Sequence, residues 1–127
     1  MLLNHVAIVS SSEEKSDKFY QGVLGLEKKG PRVLQKDLAH KLFNVDKAYT
    51  LITYEKGPVK FEIFVTEEGE TGEQGVNHVC IDVAHRDMFL KKCAEKGVDI
   101  LQIPRGEHAL VFIKDFDGNQ FEVKEKI

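Results

Sequence analysis

The chain is poor in the features that mark nucleic-acid-binding, membrane-spanning and disulfide-stabilised proteins. Only three arginines occur, the net charge is −3 and both signs are mixed along the chain, so no nucleic-acid partner is expected. No apolar run approaches the roughly 20 residues that a membrane helix needs, so no membrane partner is expected either. The first residues lack the basic and apolar regions of a signal peptide. We therefore expect a cytoplasmic protein in which Cys80 and Cys93 are free thiols.

The strongest pattern in the sequence is an internal repeat. The two histidines, His5 and His78, are 73 positions apart and the two glutamates, Glu62 and Glu122, are 60 apart, so the first unit holds 13 extra residues. The segment 36–46 looks like the main part of that insertion. The repeated runs are Asn4-His5-Val6-Ala7-Ile8 with Asn77-His78-Val79-Cys80-Ile81, and Phe61-Glu62-Ile63 with Phe121-Glu122-Val123.

Hydrophobic alternation and turn residues predict the order βαβββ in each half. The first half is predicted to have strands at 3–10, 26–34, 49–54 and 60–65, a helix that ends near 21 and a short helix at 38–43. Ser11 and Glu14 fit a capping box for the first of these helices. The second half is predicted to have strands at 77–83, 98–103, 109–114 and 120–125, a helix at 85–96, and Pro104 closing its second strand.

Length and composition predict how these halves are organised. The chain has 127 residues, of which 42% are apolar and 31% charged, as is ordinary for a single globular domain. The acidic, glycine-rich stretch 67–75 is predicted to be a linker between the halves. The predicted fold class is thus α+β, with one domain, 1–127, made of βαβββ modules 1–66 and 76–127.

The repeated histidines and glutamates are candidate metal ligands. In strand geometry Val6 and Ile8 would cover the helix, so His5 points to the opposite face, and Glu62 alternates with apolar neighbours in the same way. The same pattern holds for His78 and Glu122. If each sheet is curved and the two pair, the four side chains would line one concave surface. Two imidazoles and two carboxylates suit one divalent metal, Zn, Ni, Co, Mn or Fe(II), with positions left for water or substrate.

Single residues of these types carry less weight than the repeated set, because a lone histidine or glutamate on a strand is usually just solvated. Arg105 and His108 flank the penultimate strand and are candidate contacts for an anionic small-molecule substrate, with loop solvation as the alternative. We interpret His40 as a surface residue and Cys80, which shares the face of His78, as a small packed residue.

Two motifs stand at the end of the first helix and before the last strand: Phe19-Tyr20-x-x-Val23-Leu24-Gly25-Leu26 and Asp115-Phe116-Asp117-Gly118-Asn119-x-Phe121-Glu122. They resemble motifs of the vicinal oxygen chelate superfamily, which includes glyoxalase I, bleomycin resistance proteins and extradiol dioxygenases, although Phe116 stands where the second motif usually has proline. The resemblance covers nearly the whole chain and implies paired modules that form a curved, cleft-bearing sheet. It also implies metal ligands at four positions, a set similar to that of bacterial glyoxalase I: His5, Glu62, His78 and Glu122.

The resemblance implies a metal-dependent lyase or isomerase, similar to lactoylglutathione lyase. Proton transfer would occur α to a metal-bound carbonyl via an enediolate, with Glu122 as the catalytic base and Glu62 as its partner. The arginine and asparagine with which glyoxalase I holds glutathione have no counterparts on the first strand or after Glu62. An acyl-CoA epimerase, an Fe(II) dioxygenase and a non-enzymatic drug-binding module stay open as alternatives. We expect a homodimer, and the sequence leaves open whether the ligands come from one chain or two.

Overall fold

A computed structural model describes residues 2–66 and 77–126 of the chain. Two compact units, Met1–Thr71 and Gly72–Ile127, each contain one four-stranded sheet in the described ranges. The second unit has the element order βαβββ, and the first has the same order with one more helix inserted between its second and third strands. The predicted α+β class with two such modules is therefore confirmed. The predicted linker at 67–75 lies outside the described residues.

The first module places its first and last strands side by side. Its sheet has the order β1-β4-β3-β2; β1 and β4 run parallel, and the other neighbours are antiparallel. Its elements are β1 (Val6–Ser10), α1 (Glu13–Ser16), which continues as a π-helical segment (Asp17–Gln21), β2 (Glu27–Leu34), α2 (Lys36–Phe43), β3 (Tyr49–Lys56) and β4 (Val59–Val65).

The second module repeats this topology. Its sheet has the order β5-β8-β7-β6, with β5 and β8 parallel. The elements of this module are β5 (His78–Val83), α3 (Arg86–Glu95), β6 (Ile100–Arg105), β7 (His108–Lys114) and β8 (Gln120–Glu125).

None of the helices in the described ranges of either module is long and apolar enough to span a membrane.

The two modules differ most between their second and third strands. In the first module this connection carries α2, which confirms the helix predicted at 38–43 for the extra segment. In the second module a tight turn at Gly106 and Glu107 joins β6 directly to β7. The left-handed Asn44 (φ 55°) ends α2, a conformation that asparagine tolerates better than most residues.

The start of α1 differs from the predicted capping box by one residue. Ser12, not Ser11, is the N-cap: its backbone is extended and its hydroxyl accepts a hydrogen bond from the Lys15 N–H at 3.0 Å. The Ser16 hydroxyl donates to the Ser10 hydroxyl at 2.6 Å, which ties the helix start to β1. These serine contacts fix the residue at which α1 begins.

The prediction that Pro104 closes its strand is wrong. β6 continues to Arg105, and Pro104 lies opposite Ala109 of β7. β6 is an edge strand, so the missing N–H of proline removes no hydrogen bond to a neighbouring strand. The corresponding edge strand of the first module, β2, likewise contains a proline, Pro31.

An aromatic cluster forms the core of the first module. Tyr20 is fully buried and its ring lies 5.3 Å from that of Tyr54 and 5.6 Å from that of Phe61. The Tyr54 hydroxyl donates to Asp17 at 2.7 Å, and Lys28 pairs with the same carboxylate. Burial raises the pKa of the Tyr54 phenol far above its usual value, and this keeps the hydroxyl a donor. The π-helical segment is therefore held to the sheet by both packing and charge.

The two cysteines have different environments. Cys93 on α3 is fully buried, and burial raises the pKa of its thiol to about 11. Cys80 is exposed, so its interpretation as a packed residue is wrong. Partial desolvation of the Cys80 thiol, reinforced by the nearby Glu122 carboxylate, nevertheless raises its pKa above the usual value.

These environments predict selective alkylation in the folded protein. At pH 8 iodoacetamide should modify Cys80 and leave Cys93 largely unreacted, because Cys93 is both inaccessible and protonated. Peptide mass spectrometry after timed labelling measures both sites, with the protein in concentrated urea as the control in which both react. Labelling of Cys93 as fast as Cys80 in the folded protein would contradict the described packing of α3.

Candidate metal centre

Parallel pairing of the first and last strands brings each repeated histidine next to a repeated glutamate. In the first module Ala7 lies directly opposite Glu62, and His5 precedes Ala7 by two positions. In the second module Cys80 lies opposite Glu122, and His78 precedes Cys80 by two positions. Residues two apart on a strand share a face, so the histidine and glutamate of each module point the same way.

The first module brings His5 and Glu62 into direct contact. His5 Nδ1 lies 3.1 Å from Glu62 Oε2 and 2.8 Å from Asn4 Oδ1. The Glu62 side chain is 14% exposed and that of His5 38%, so the carboxylate is the more enclosed of the two. Thr53 on β3 lies opposite Glu62 on its other side and is buried.

The second module holds the matching pair slightly further apart. His78 Nε2 lies 3.8 Å from Glu122 Oε1, with side chains that are 41% and 17% exposed. Phe112 lies opposite Glu122 on β7, and its ring meets the His78 imidazole edge-on with centroids 5.5 Å apart. The pair is thus backed by an aromatic wall that limits the orientation of the imidazole.

Each carboxylate also has one distant cation, which sequence reasoning did not single out. Arg32 Nη2 is 3.9 Å from Glu62 Oε1, and Lys124 Nζ is 3.8 Å from Glu122 Oε2. Both cations are mostly exposed, and such pairs contribute only about 0–1 kcal/mol. They can therefore give way to a stronger ligand of the carboxylates. The sequence could have indicated Lys124, because it stands two residues after Glu122 and so shares its strand face. It could not have indicated Arg32, because Arg32 reaches Glu62 only through the order of the strands in the sheet.

The turn before β8 sets the position of Glu122. Asp115 is buried, and its Oδ1 accepts hydrogen bonds from the backbone N–H groups of Asp117 at 2.9 Å and Asn119 at 2.8 Å. Gly118 has φ 87°, which glycine adopts without strain. The turn forms these bonds although Phe116 stands where the motif usually has proline. The second sequence motif therefore acts here as a structural device that starts β8 at Gln120.

The geometry of each pair fits a divalent ion. Two ligand atoms about 2.1 Å from one ion, at angles of about 90–130°, stand about 3.0–3.8 Å apart. The separations of 3.1 Å and 3.8 Å fall within this range, and imidazole and carboxylate are ligands of the expected metals. Within residues 2–66 and 77–126 no group of three or more His, Cys, Asp and Glu side chains is close enough to hold a metal. Each module by itself thus contributes a two-ligand pair.

An apolar cavity lies beside the face of the first sheet that carries Glu62. It has a volume of about 260 Å³, and both the strand neighbour of Glu62, Ala7, and the next residue on its face, Phe64, line it. α2 covers it with Phe43, whose ring meets Phe64 edge-on at 5.6 Å. The extra segment of the first module therefore builds an apolar wall beside the His5–Glu62 pair.

The remaining predicted residues lie on the β6–β7 hairpin of the second module and on α2 of the first. Arg105 and His108 lie opposite each other at the end of the β6–β7 hairpin, and both are exposed. They line a second cavity, of about 670 Å³, whose wall includes Glu122. His40 is exposed on α2, as expected.

Comparisons with known proteins agree with this architecture. The family model described as Glyoxalase/Bleomycin resistance protein/Dioxygenase superfamily matches residues 2–123. A glyoxalase family protein from Enterococcus faecalis superposes with a TM-score of 0.74 at 19% identity, over 95% of this chain and 94% of that chain. The fosfomycin resistance protein FosX from Listeria monocytogenes superposes with a TM-score of 0.73 at 15% identity, over 100% and 94%.

A further similar structure contains a metal. A variant of the Listeria FosX, solved with Mn(II) and 1S,2S-dihydroxypropylphosphonic acid, superposes with a TM-score of 0.69 at 17% identity, over 96% of this chain and 87% of that chain. No curated protein matches the chain in sequence. The family match spans almost all of the residues that form both modules and both histidine–glutamate pairs, and the chain belongs to the Glyoxalase/Bleomycin resistance protein/Dioxygenase superfamily.

Proposed function

We propose that the chain is a metal-dependent lyase or isomerase that moves a proton at the carbon next to a carbonyl group of a small substrate. The observation that carries this proposal is the recurrence of one histidine–glutamate pair, at one strand register, in both modules. A duplicated pair with metal-compatible separations is hard to explain by stability alone, since four partly exposed polar groups add little to the core. The Mn(II) complex of the related FosX supports a divalent ion.

His5, Glu62, His78 and Glu122 would hold the ion in this proposal. Nitrogen and carboxylate donors suit Zn, Ni, Co, Mn and Fe(II), and the donor set does not select one of them. When bound, the ion supplies a Lewis acid that makes the proton next to a substrate carbonyl more acidic. The protein has to supply the base, the orientation of the substrate and the exclusion of water.

Glu122 is the better placed of the two carboxylates to act as the base. Its side chain borders the cavity of about 670 Å³, so a substrate can approach it, and Phe112 holds its neighbour His78 in place. Glu62 is flanked by the buried Thr53 and by Ala7, which restricts it to a supporting role. A Glu122 carboxylate oxygen would accept the proton and return it to the product carbon.

The surroundings of Glu62 argue against glutathione as a co-substrate. The strand beside it offers Ala7 and an apolar cavity, and the nearby cation, Arg32, already faces the Glu62 carboxylate at 3.9 Å. A tripeptide with charged ends would need further charged partners there. A 2-oxo acid or acyl thioester with a small apolar substituent fits this wall better. The homodimer, the cytoplasmic location and the linker at 67–75 stay predictions of the same proposal.

Metal content tests the ligand set. We expect one ion per chain in the wild type after purification without chelators, and a loss of at least half in Glu62→Gln and in His78→Ala, because each variant removes one donor. Inductively coupled plasma mass spectrometry measures the content. His40→Ala, which removes an exposed histidine outside both pairs, is the matched control and should bind as the wild type does. Unchanged content in both ligand variants would rule out this site.

Isotope exchange tests the reaction. In deuterated water the wild type should incorporate deuterium at the carbon next to the carbonyl of at least one 2-oxo or acyl-thioester compound, with turnover of glutathione hemithioacetal being poor. Glu122→Gln should lower the exchange rate by about 10²–10⁴-fold while the protein stays folded, because the base is lost. Proton NMR measures the exchange with Ni, Co, Mn and Zn supplied in turn.

The control for this experiment is Glu95→Gln, an exposed carboxylate on α3, which should exchange at the wild-type rate. Two results would refute proton transfer: no exchange with any compound in the wild type, or equal rates in Glu122→Gln and the wild type at equal metal content. A binding module without catalysis would then be the better description.

A further inference from the structure

The second module departs from the first where β7 and β8 separate. In the first module the corresponding strands, β3 and β4, pair from Thr50 and Val65 to Lys56 and Val59. In the second, pairing covers only three positions and stops at Phe112 and Glu122. Both strands nevertheless continue, held by their outer neighbours: β8 pairs with β5 as far as Glu125, and β7 with β6 as far as His108. The sheet therefore opens directly beside Glu122.

Arg86, the first residue of α3, reaches into this opening. Its Nη1 lies 3.4 Å from the Ala109 carbonyl on β7 and 3.4 Å from the Val123 carbonyl on β8. Both distances are at the upper limit for a hydrogen bond, so these bonds are weak. A guanidinium has five N–H donors, and Arg86 pairs with no carboxylate in the described ranges 2–66 and 77–126. A half-buried arginine with unused donors is suited to a ligand.

The opening forms the cavity of about 670 Å³, and the cavity is rich in cationic groups. Three of the chain's cations, Arg86, Arg105 and Lys124, line it together with His108. Its carboxylates are Glu122 and Glu125, of which the proposed function gives Glu122 to the metal. Arg105 makes no ion pair with any described residue. Lys124 lies 3.8 Å from the Glu122 carboxylate, so Arg86 and Arg105 are the two lining cations without an ion pair among the described residues. In a chain with a net charge of −3, this pair of arginines is a local concentration of positive charge.

We infer that this cavity is an anion-binding subsite, and that Arg86 determines its specificity for the carboxylate, phosphate or phosphonate group of the substrate. A planar guanidinium binds such oxyanions with two parallel hydrogen bonds, and the half-enclosed site strengthens them. That this anionic group belongs to a substrate rests on the proposed function. Anion binding itself needs neither the metal nor catalysis, because none of the three cations belongs to the proposed ligand set.

The test is an NMR titration of the metal-free protein at constant ionic strength, since screening would otherwise mimic binding. Inorganic phosphate, methylphosphonate and acetate are the probes, and the last separates carboxylate from phosphorus oxyanions. We expect saturable amide shifts at 105–111 and 122–125 with at least one probe. Arg86→Gln should weaken the affinity at least tenfold. Lys91→Gln, the same charge change at an exposed position of α3, should leave it unchanged.

Arg86 also bridges two strands, so two further variants keep the inference testable if Arg86→Gln unfolds. Arg105→Gln leaves the carbonyl contacts intact and should weaken binding several-fold. Arg86→Lys keeps the positive charge but loses the planar pair of N–H donors, and this variant should bind the anion more weakly than the wild type does. Wild-type affinity in both variants, or shifts that spread without saturation, would overturn the inference. Intact anion binding without isotope exchange would contradict only the proposed function.

Discussion

The parallel pairing of the first and last strands of each module is the constraint on which the site depends. It places the residue two positions after each histidine directly opposite a glutamate, as Ala7 opposite Glu62 and Cys80 opposite Glu122. A slip of one residue would turn each glutamate into the core, where an unpaired carboxylate is costly. In the second module the hydrogen bonds of the Asp115 turn also fix the residue at which β8 begins.

The two modules keep the same pair and differ in what surrounds it. The first adds α2 and an apolar cavity beside Glu62, with Phe43 and Phe64 as its aromatic walls. The second shortens one strand pairing and exposes cations beside Glu122. Duplication thus accounts for the likeness of the pairs, and later divergence for two chemically different neighbourhoods.

Much of this could be predicted from the sequence because repeats and strand alternation are local signals. They gave the element order, the α2 insertion and the shared face of His78 and Cys80. They could not give strand order, since periodicity assigns a side chain to a face without naming its neighbour. Arg32 beside Glu62, and Arg86 in the opening beside Val123, follow from that order and were missed for this reason. Cys80 shows the same limit, because whether a face is buried depends on what covers it.

The proposed function requires two similar pairs to serve one ion, and X-ray absorption spectroscopy tests this proposal most directly. On protein loaded with Zn or Ni and freed of excess metal, the spectrum counts the imidazoles around each ion, while elemental analysis gives the ions per chain. The account predicts one ion per chain with two imidazole ligands, falling to one imidazole in His78→Ala. Two ions per chain with one imidazole each would contradict it, because each module would then bind its own metal.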